Sequence, residues 1–208
     1  DIDGVCIPLV KDPMNRKISK DYIFAARKFK NEFSVLTCGE HEGKRGVNRI
    51  IERCINNISE VKEKGLYLRG LAACGVEYQD NIANTSFEGI TKEELEFLSK
   101  VPKMMRSKFK KIVNYLFPRL KEIEISSHAI KSICETKFSP TINFNSLFEL
   151  SKNDLKKRRQ IQEMFEIMMN EILICAEKEG LSRSFFLHIS PNLGNENGRE
   201  ILKLSSKD

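Results

Sequence analysis

A chain of 208 residues, 40% hydrophobic and 31% charged, has ordinary globular composition and is long enough for one elaborated domain or two small ones. Its 35 Lys and Arg against 29 Asp and Glu give a formal net charge of +6, spread along the chain rather than gathered in one block. No run of roughly 18 apolar residues exists, which excludes a membrane-spanning helix. The densest basic run, Lys156-Lys157-Arg158-Arg159, has no Trp or Tyr beside it for base stacking and reads as a solvated helix face. Neither nucleic acid nor membrane is therefore expected as a partner. The six cysteines (Cys6, Cys38, Cys54, Cys74, Cys134 and Cys175) make no CxxC pair and no zinc-type spacing. Set mostly in apolar stretches, they read as reduced, buried thiols of a cytoplasmic protein.

In chain order, residues 1–10 read as a strand end and loop punctuated by Pro8 and, just beyond, Pro13. Residues 19–30 carry Tyr22, Ile23, Ala26 and Phe29 at helical spacing, with Ser19 as cap. Residues 33–37 read as a short buried strand ending at Cys38-Gly39, and Val47, Ile50, Ile51, Cys54 and Ile55 mark a second amphipathic helix. Residues 65–68 and 74–78 look like strands joined by a small-residue link over 70–73. This β-α-β-α-β order predicts a parallel, helix-covered sheet over residues 1–80. Beyond Asp80 the character turns helical. Thr91 with Glu94 forms a capping-box signature, and helical periodicity continues over 101–117 and 127–134. The strongest helix spans 155–179, with Ile161, Met164, Phe165, Met168, Ile172 and Cys175 on one stripe and Gly180 as its stop. A late strand is expected at 184–189. Residues 81–208 thus read as a mixed, mostly helical α+β cap whose C-terminal end is a candidate for re-entry into the core.

The chemistry concentrates at Asp1-Ile2-Asp3-Gly4-Val5. Carboxylates two residues apart on a strand point to one face, and a turn at Gly4 sets both at the strand's carboxyl end, where open α/β sheets bind ligands. Such a pair can hold a magnesium ion and divide the work of phosphoryl transfer, one attacking and one handling protons. A hydroxyl at the tip of the neighbouring strand, Thr37, is placed to hold a phosphate oxygen. The stretch from Gly39 to Gly46 fails as a P-loop, because three residues rather than four separate its first two glycines and Arg45 stands where Ser or Thr should follow Lys44. It reads better as a glycine-rich turn into a helix, with backbone N–H groups and Lys44 or Arg45 facing an anion. A merely solvated turn fits those side chains equally well. Glu40-His41-Glu42 resembles a metal cluster, but adjacent residues do not converge on one ion. His128 and His188 each stand alone.

Taken together, Asp1-Ile2-Asp3-Gly4-Val5 and Thr37 resemble the first two motifs of the haloacid-dehalogenase (HAD) phosphatase superfamily. More narrowly, residues 1–13, 35–47, 65–80, 139–147 and 184–194 resemble the cyanobacterial family of glucosylglycerol-phosphate phosphatases. The resemblance implies a HAD-like Rossmannoid parallel-sheet core, here incomplete, with an inserted cap. It further implies Mg²⁺-dependent hydrolysis of a sugar phosphate, glucosylglycerol 3-phosphate, in the synthesis of a compatible solute during salt acclimation, with association with the corresponding synthase as a partner expectation. By position Asp1 is the nucleophile and Asp3 the acid/base. The Asp1 carboxylate and the Asp3 backbone carbonyl become magnesium ligands, and Thr37, Cys38 and Gly39 bind phosphate. Glu40, His41, Lys44, Arg45, His188 and Asn192 are candidate substrate contacts. A strand before Asp1, a later Lys or Arg and a Gly-Asp type acidic motif are expected beyond the ends of this chain. Trehalose- or sucrose-phosphate hydrolysis, or non-catalytic sugar-phosphate binding on the same fold, are the alternatives.

Overall fold

The computed structural model describes residues 1–10, 13–29, 32–152, 154–190 and 201–206. The protein is a mixed α/β chain that divides into two compact units, Asp1–Ile90 and Thr91–Asp208. The division falls after Ile90 rather than near Asp80, because residues 85–87 still belong to the first unit's sheet.

In the first unit, helices α1 (Lys20–Lys28), α2 (Val47–Ile55) and α3 (Ile58–Glu63) accompany strands β1 (Val35–Leu36), β2 (Gly70–Ala72), β3 (Glu77–Gln79) and β4 (Thr85–Phe87). Helix α1 starts where Ser19 Oγ accepts from the Tyr22 N–H at 3.1 Å, satisfying one orphan donor of the first turn. The strands lie in sequence order in one sheet. Only β1 and β2 are parallel, with Val35 opposite Gly70 and Leu36 opposite Leu71; the other pairs are antiparallel. The expected all-parallel sheet is therefore corrected. A left-handed kink at Ala73 (φ 51°) and Cys74 (φ 60°) reverses the chain directly after β2, and so short a connection cannot make a parallel crossover.

Two assignments also exchange places. The expected strand at 65–68 is an irregular core segment, its Leu66, Tyr67 and Leu68 buried in succession and anchored by Leu66 N–H to the Val61 carbonyl (2.9 Å) and Tyr67 N–H to the Asn81 carbonyl (3.1 Å). The expected link at 70–73 supplies β2 instead. Gly70 has φ 147°, and a Cβ there would meet the Val35 carbonyl oxygen at 1.9 Å. The close approach of the two parallel strands thus requires glycine, the residue with the weakest strand signal.

In the second unit, α4 (Lys92–Leu116), α5 (Glu122–Ser132), α6 (Asn145–Leu150) and α7 (Leu155–Lys178) pack with an antiparallel sheet. Its strands are β5 (Ile133–Cys134), β6 (Thr141–Asn143), β7 (Phe185–Ser190) and β8 (Ile201–Ser206), in the order β5-β6-β8-β7. The Thr91/Glu94 capping box is present, with Thr91 N–H to Glu94 Oε2 at 2.8 Å and Glu94 N–H to Thr91 Oγ1 at 3.2 Å. The helix expected over 127–134 ends at Ser132 and passes into β5. Strand β8 pairs with β6 and β7 of this same unit rather than re-entering a core sheet. Phenylalanines fill the interior: Phe97 stacks on Phe185 at 5.3 Å, and Phe165 lies 5.3 Å from Phe109 and 5.4 Å from Phe144. The buried stripe of α7 is Ile161, Phe165, Met168, Met169, Ile172 and Ala176, so Met164 and Cys175 are half-buried flanks. Two cations of the basic run cover aromatic rings of this unit, Lys157 over Phe117 at 5.2 Å and Arg158 over Phe148 at 5.3 Å.

The cysteines also differ from expectation. None of the six is in a disulfide, yet none is fully buried, and Cys38 and Cys74 are exposed in the loops after β1 and β2. No helix among the described residues is long and apolar enough to cross a membrane.

Candidate active site

The N-terminal carboxylates sit on a turn rather than a strand. Ile2 and Ile7 are buried and anchor it. Around them Cys6 and Ile7 both donate N–H groups to the Ile2 carbonyl at 3.0 Å, and Gly4 N–H closes onto the Ile7 carbonyl at 2.8 Å. Gly4 adopts φ 85°, a conformation that favours glycine. A backbone bond carries this turn to the sheet, from Ile2 N–H to the Leu36 carbonyl at 3.2 Å. The two carboxylates therefore occupy different surroundings: Asp1 is exposed and Asp3 half-buried.

Asp3 is held by a residue that sequence reasoning missed. Arg16 Nη2 lies 2.5 Å from Asp3 Oδ2, and Arg16 Nη1 donates to the Arg45 carbonyl at 3.3 Å. One guanidinium thereby joins the acidic turn to the glycine-rich loop. No motif spacing marks Arg16; a single buried-side arginine between Pro13 and the α1 cap carries no pattern that distinguishes it from a surface cation.

Thr37 directly follows β1, with its N–H donating to the Leu71 carbonyl at 3.0 Å. It is 3% exposed, and its Oγ1 accepts the Gly39 N–H at 3.1 Å, which leaves the hydroxyl proton to donate. Cys38 is exposed beside it. The Gly39 carbonyl in turn accepts from Ala73 N–H at 2.5 Å, so the loops after β1 and β2 are pinned together.

The glycine-rich loop uses its helix N-terminus internally. Val47 and Asn48, the first residues of α2, donate their N–H groups to the carbonyls of Glu40 (3.2 Å) and His41 (2.9 Å). These donors are thus engaged rather than presented to an anion, which corrects that part of the expectation. Lys44 remains exposed and Arg45 is half-buried. His41 is the largest departure: expected as a substrate contact, it has no exposed surface. Its Nε2 lies 3.1 Å from the Gly70 carbonyl, its backbone N–H donates to Glu77 Oε2 at 2.9 Å, and Gln79 Nε2 approaches Nδ1 at 3.4 Å. That pattern assigns the proton to Nε2. Burial pushes the His41 pKa below the ordinary histidine value, outweighing the opposite pull of the Gly70 carbonyl, Glu77 and Glu42. Gln79 and Asn48 complete the network through a reciprocal amide pair at 2.6 and 3.0 Å. Glu77, Gln79 and Asn48 also escaped the sequence reading; a polar residue at an inward strand position marks Glu77 and Gln79, and a polar residue on the buried face of α2 marks Asn48.

Beside the loop opens a cleft of about 510 Å³, lined among others by Glu42, Lys44, Arg49, Glu52, Lys62 and Tyr67. The Tyr67 hydroxyl donates to Glu52 at 2.8 Å, and burial together with that carboxylate pushes its pKa up to about 12. In the second unit, His188 is exposed on β7, and Asn192 lies outside the described residues.

Magnesium takes near-octahedral oxygen ligands. The Asp1 carboxylate and the Asp3 carbonyl are oxygen donors of that kind, but the Asp3 carboxylate is committed to Arg16. Among the described residues no group of three or more His, Cys, Asp or Glu converges as a metal site.

The fold and site thus define a mixed α/β protein in which an acidic turn, a strand-end hydroxyl and a glycine-rich loop meet at one end of a small sheet. The chain belongs to the glucosylglycerol-phosphate phosphatase family, whose model matches residues 1–208. It is 39% identical over 204 residues to the glucosylglycerol-phosphate phosphatase of Synechocystis sp. (strain PCC 6803), a match that covers 98% of this chain. The chain spans about half the length of that relative, 48%.

Proposed function

We propose that this chain carries the nucleophile-bearing part of a phosphatase that hydrolyses glucosylglycerol 3-phosphate to glucosylglycerol and phosphate. The observation that carries the reading is the family match over residues 1–208, which includes the acidic turn, Thr37 and the glycine-rich loop. In this reading Asp1 Oδ attacks phosphorus, the bond to the glycerol oxygen breaks, and Asp3 gives that oxygen its proton. Asp3 then takes a proton from water, which attacks phosphorus and breaks the aspartyl–phosphate bond, returning Asp1 as a carboxylate. Exposed Asp1 is accessible to a phosphate ester, and the Thr37 hydroxyl has its proton available for a phosphate oxygen. The neighbouring cleft, with carboxylates, cations and a phenol, suits a hydroxyl-bearing ligand.

Membership of the HAD superfamily, a cytoplasmic role in salt acclimation and association with the matching synthase belong to this proposal through family resemblance. So does the magnesium requirement, with the Asp1 carboxylate and the Asp3 backbone carbonyl as ligands. Phosphate release by the full-length protein, measured on glucosylglycerol 3-phosphate, trehalose phosphate and sucrose phosphate with and without Mg²⁺, tests the reading. Release only from the first, abolished by chelator, is the expected result. No release from any of them by a folded protein refutes the enzyme reading.

A further inference from the structure

We propose that Arg16 is the positioning residue for Asp3, fixing that carboxylate relative to the glycine-rich loop. The inference rests on the phosphatase reading for what Asp3 does, but its geometry stands by itself.

Two features separate this pair from the other ion pairs of the chain. The first is burial: the side chains of Arg16 and Asp3 are 13% and 26% exposed, whereas every other ion pair found among the described residues has partners at 33% or more. Exposed pairs contribute little and wander between geometries; a pair excluded from water on one side does not. The second is the double engagement. Nη2 meets Asp3 while Nη1 meets the Arg45 carbonyl, so the rigid guanidinium plane sets the angle as well as the distance between two segments more than 40 residues apart in sequence. Asp3 lies on a turn tied to β1 by the Ile2–Leu36 backbone bond, and Arg16 supplies the side-chain contact that fixes where its carboxylate points. A lysine reaches one of the two acceptors, not both at the same angle.

A group that acts only by aiming another changes turnover more than binding, and a displacement of about 1 Å in a reacting group costs on the order of 100-fold. In the full-length protein, Arg16→Ala is expected to lower kcat about 10- to 100-fold with KM changed less than about twofold. Guanidinium at sub-denaturing concentration restores part of that rate, and Arg16→Lys restores less than the bound guanidinium does. An unchanged kcat overturns the proposal, as does a loss confined to KM, which makes Arg16 a substrate contact. A loss matched by a lower folded fraction and insensitive to guanidinium overturns it in favour of a merely structural role. If the wild-type protein releases no phosphate from any sugar phosphate, the phosphatase reading has failed on its own account. The Arg16–Asp3 tie is then read from urea midpoints of Arg16→Ala, Asp3→Asn and the double variant. Non-additive midpoint shifts support the tie and additive shifts overturn it.

Discussion

Replacing Gln79 by leucine tests whether the buried amide network holds the glycine-rich loop. Gln79 is fully buried and Asn48 is 6% exposed, and each amide satisfies the other through bonds of 2.6 and 3.0 Å. Leucine at 79 leaves both the Asn48 carbonyl and its NH₂ without that partner, at about 1–3 kcal/mol for each stranded group. The expected loss is about 2–6 kcal/mol, a large share of the stability of a small domain. Asn48→Leu strands the Gln79 side-chain carbonyl, while the Gln79 NH₂ keeps its contacts with His41 Nδ1 and the Leu68 carbonyl, whereas the double variant strands neither amide. The double variant is therefore expected to fall short of the sum of the singles by about 1–3 kcal/mol. Urea unfolding of the full chain followed by circular dichroism reads all four corners of the cycle, with the midpoint compared at constant slope. Singles that cost less than about 1 kcal/mol, or strict additivity, refute the claim that this pair is what satisfies the buried amides.

Burial holds the pKa of His41, and with it that of His128, below the ordinary value, so both remain neutral in the folded chain where the unfolded chain is beginning to protonate. Stability is then full above about pH 6.5 and falls as pH drops below it, by at most about 1.4 kcal/mol per pH unit for buried His41 and by less for partly exposed, solvent-screened His128. Urea midpoints between pH 7.5 and 5 check this, and His41→Gln is expected to flatten the slope. Gly70→Ala must add a Cβ 1.9 Å from the Val35 carbonyl at a φ of 147°, and strain plus overpacking predict a loss of about 2–6 kcal/mol in thermal or urea unfolding. Asp1→Asn in the full-length protein is expected to abolish phosphate release with an unchanged circular dichroism spectrum; retained turnover removes Asp1 as nucleophile.

What was legible in the sequence followed from repeated, local signals. Helices α1, α2, α4 and α7 announced themselves by apolar spacing and by caps such as Ser19 and the Thr91/Glu94 box, which depend on residues within a few positions of each other. The strands were less legible because they are two or three residues long in the first unit, too short to display alternation. Gly70, Leu71 and Ala72 read as a link because the very smallness that allows β2 to approach β1 removes its strand signal. Leu66, Tyr67 and Leu68 read as a strand because an apolar run shows burial, not hydrogen-bond direction. Around the site, the sequence singled out Asp1, Asp3 and Thr37 from an expected strand-end arrangement, while Arg16 and the His41 network are long-range pairings that no local spacing encodes. His41 shows the cost of that blindness. Between two glutamates it looked like a ligand-facing residue, and only the fold shows it turned inward to the Gly70 carbonyl.

These same pairings explain how so little regular structure can define a site. Strand β1 contributes only two residues, yet the Leu36 carbonyl receives the acidic turn, Thr37 holds the Gly39 N–H, and Gly39 accepts from Ala73 beyond β2. Backbone bonds thus tie each loop to the next, and the order of a chain of such bonds is only as good as its weakest member. Buried cross-ties remove that weakness. Arg16 links the first loop to the second, and the network of His41, Glu77, Gln79 and Asn48 clamps the second loop and the start of α2 onto β2 and β3. Polar groups in a small core carry a desolvation cost that leucine or valine would not. Their presence here is accounted for by what they fix: an apolar residue at 41 or 79 can fill the same volume, but it cannot make the side-chain hydrogen bonds that set the direction of the glycine-rich backbone.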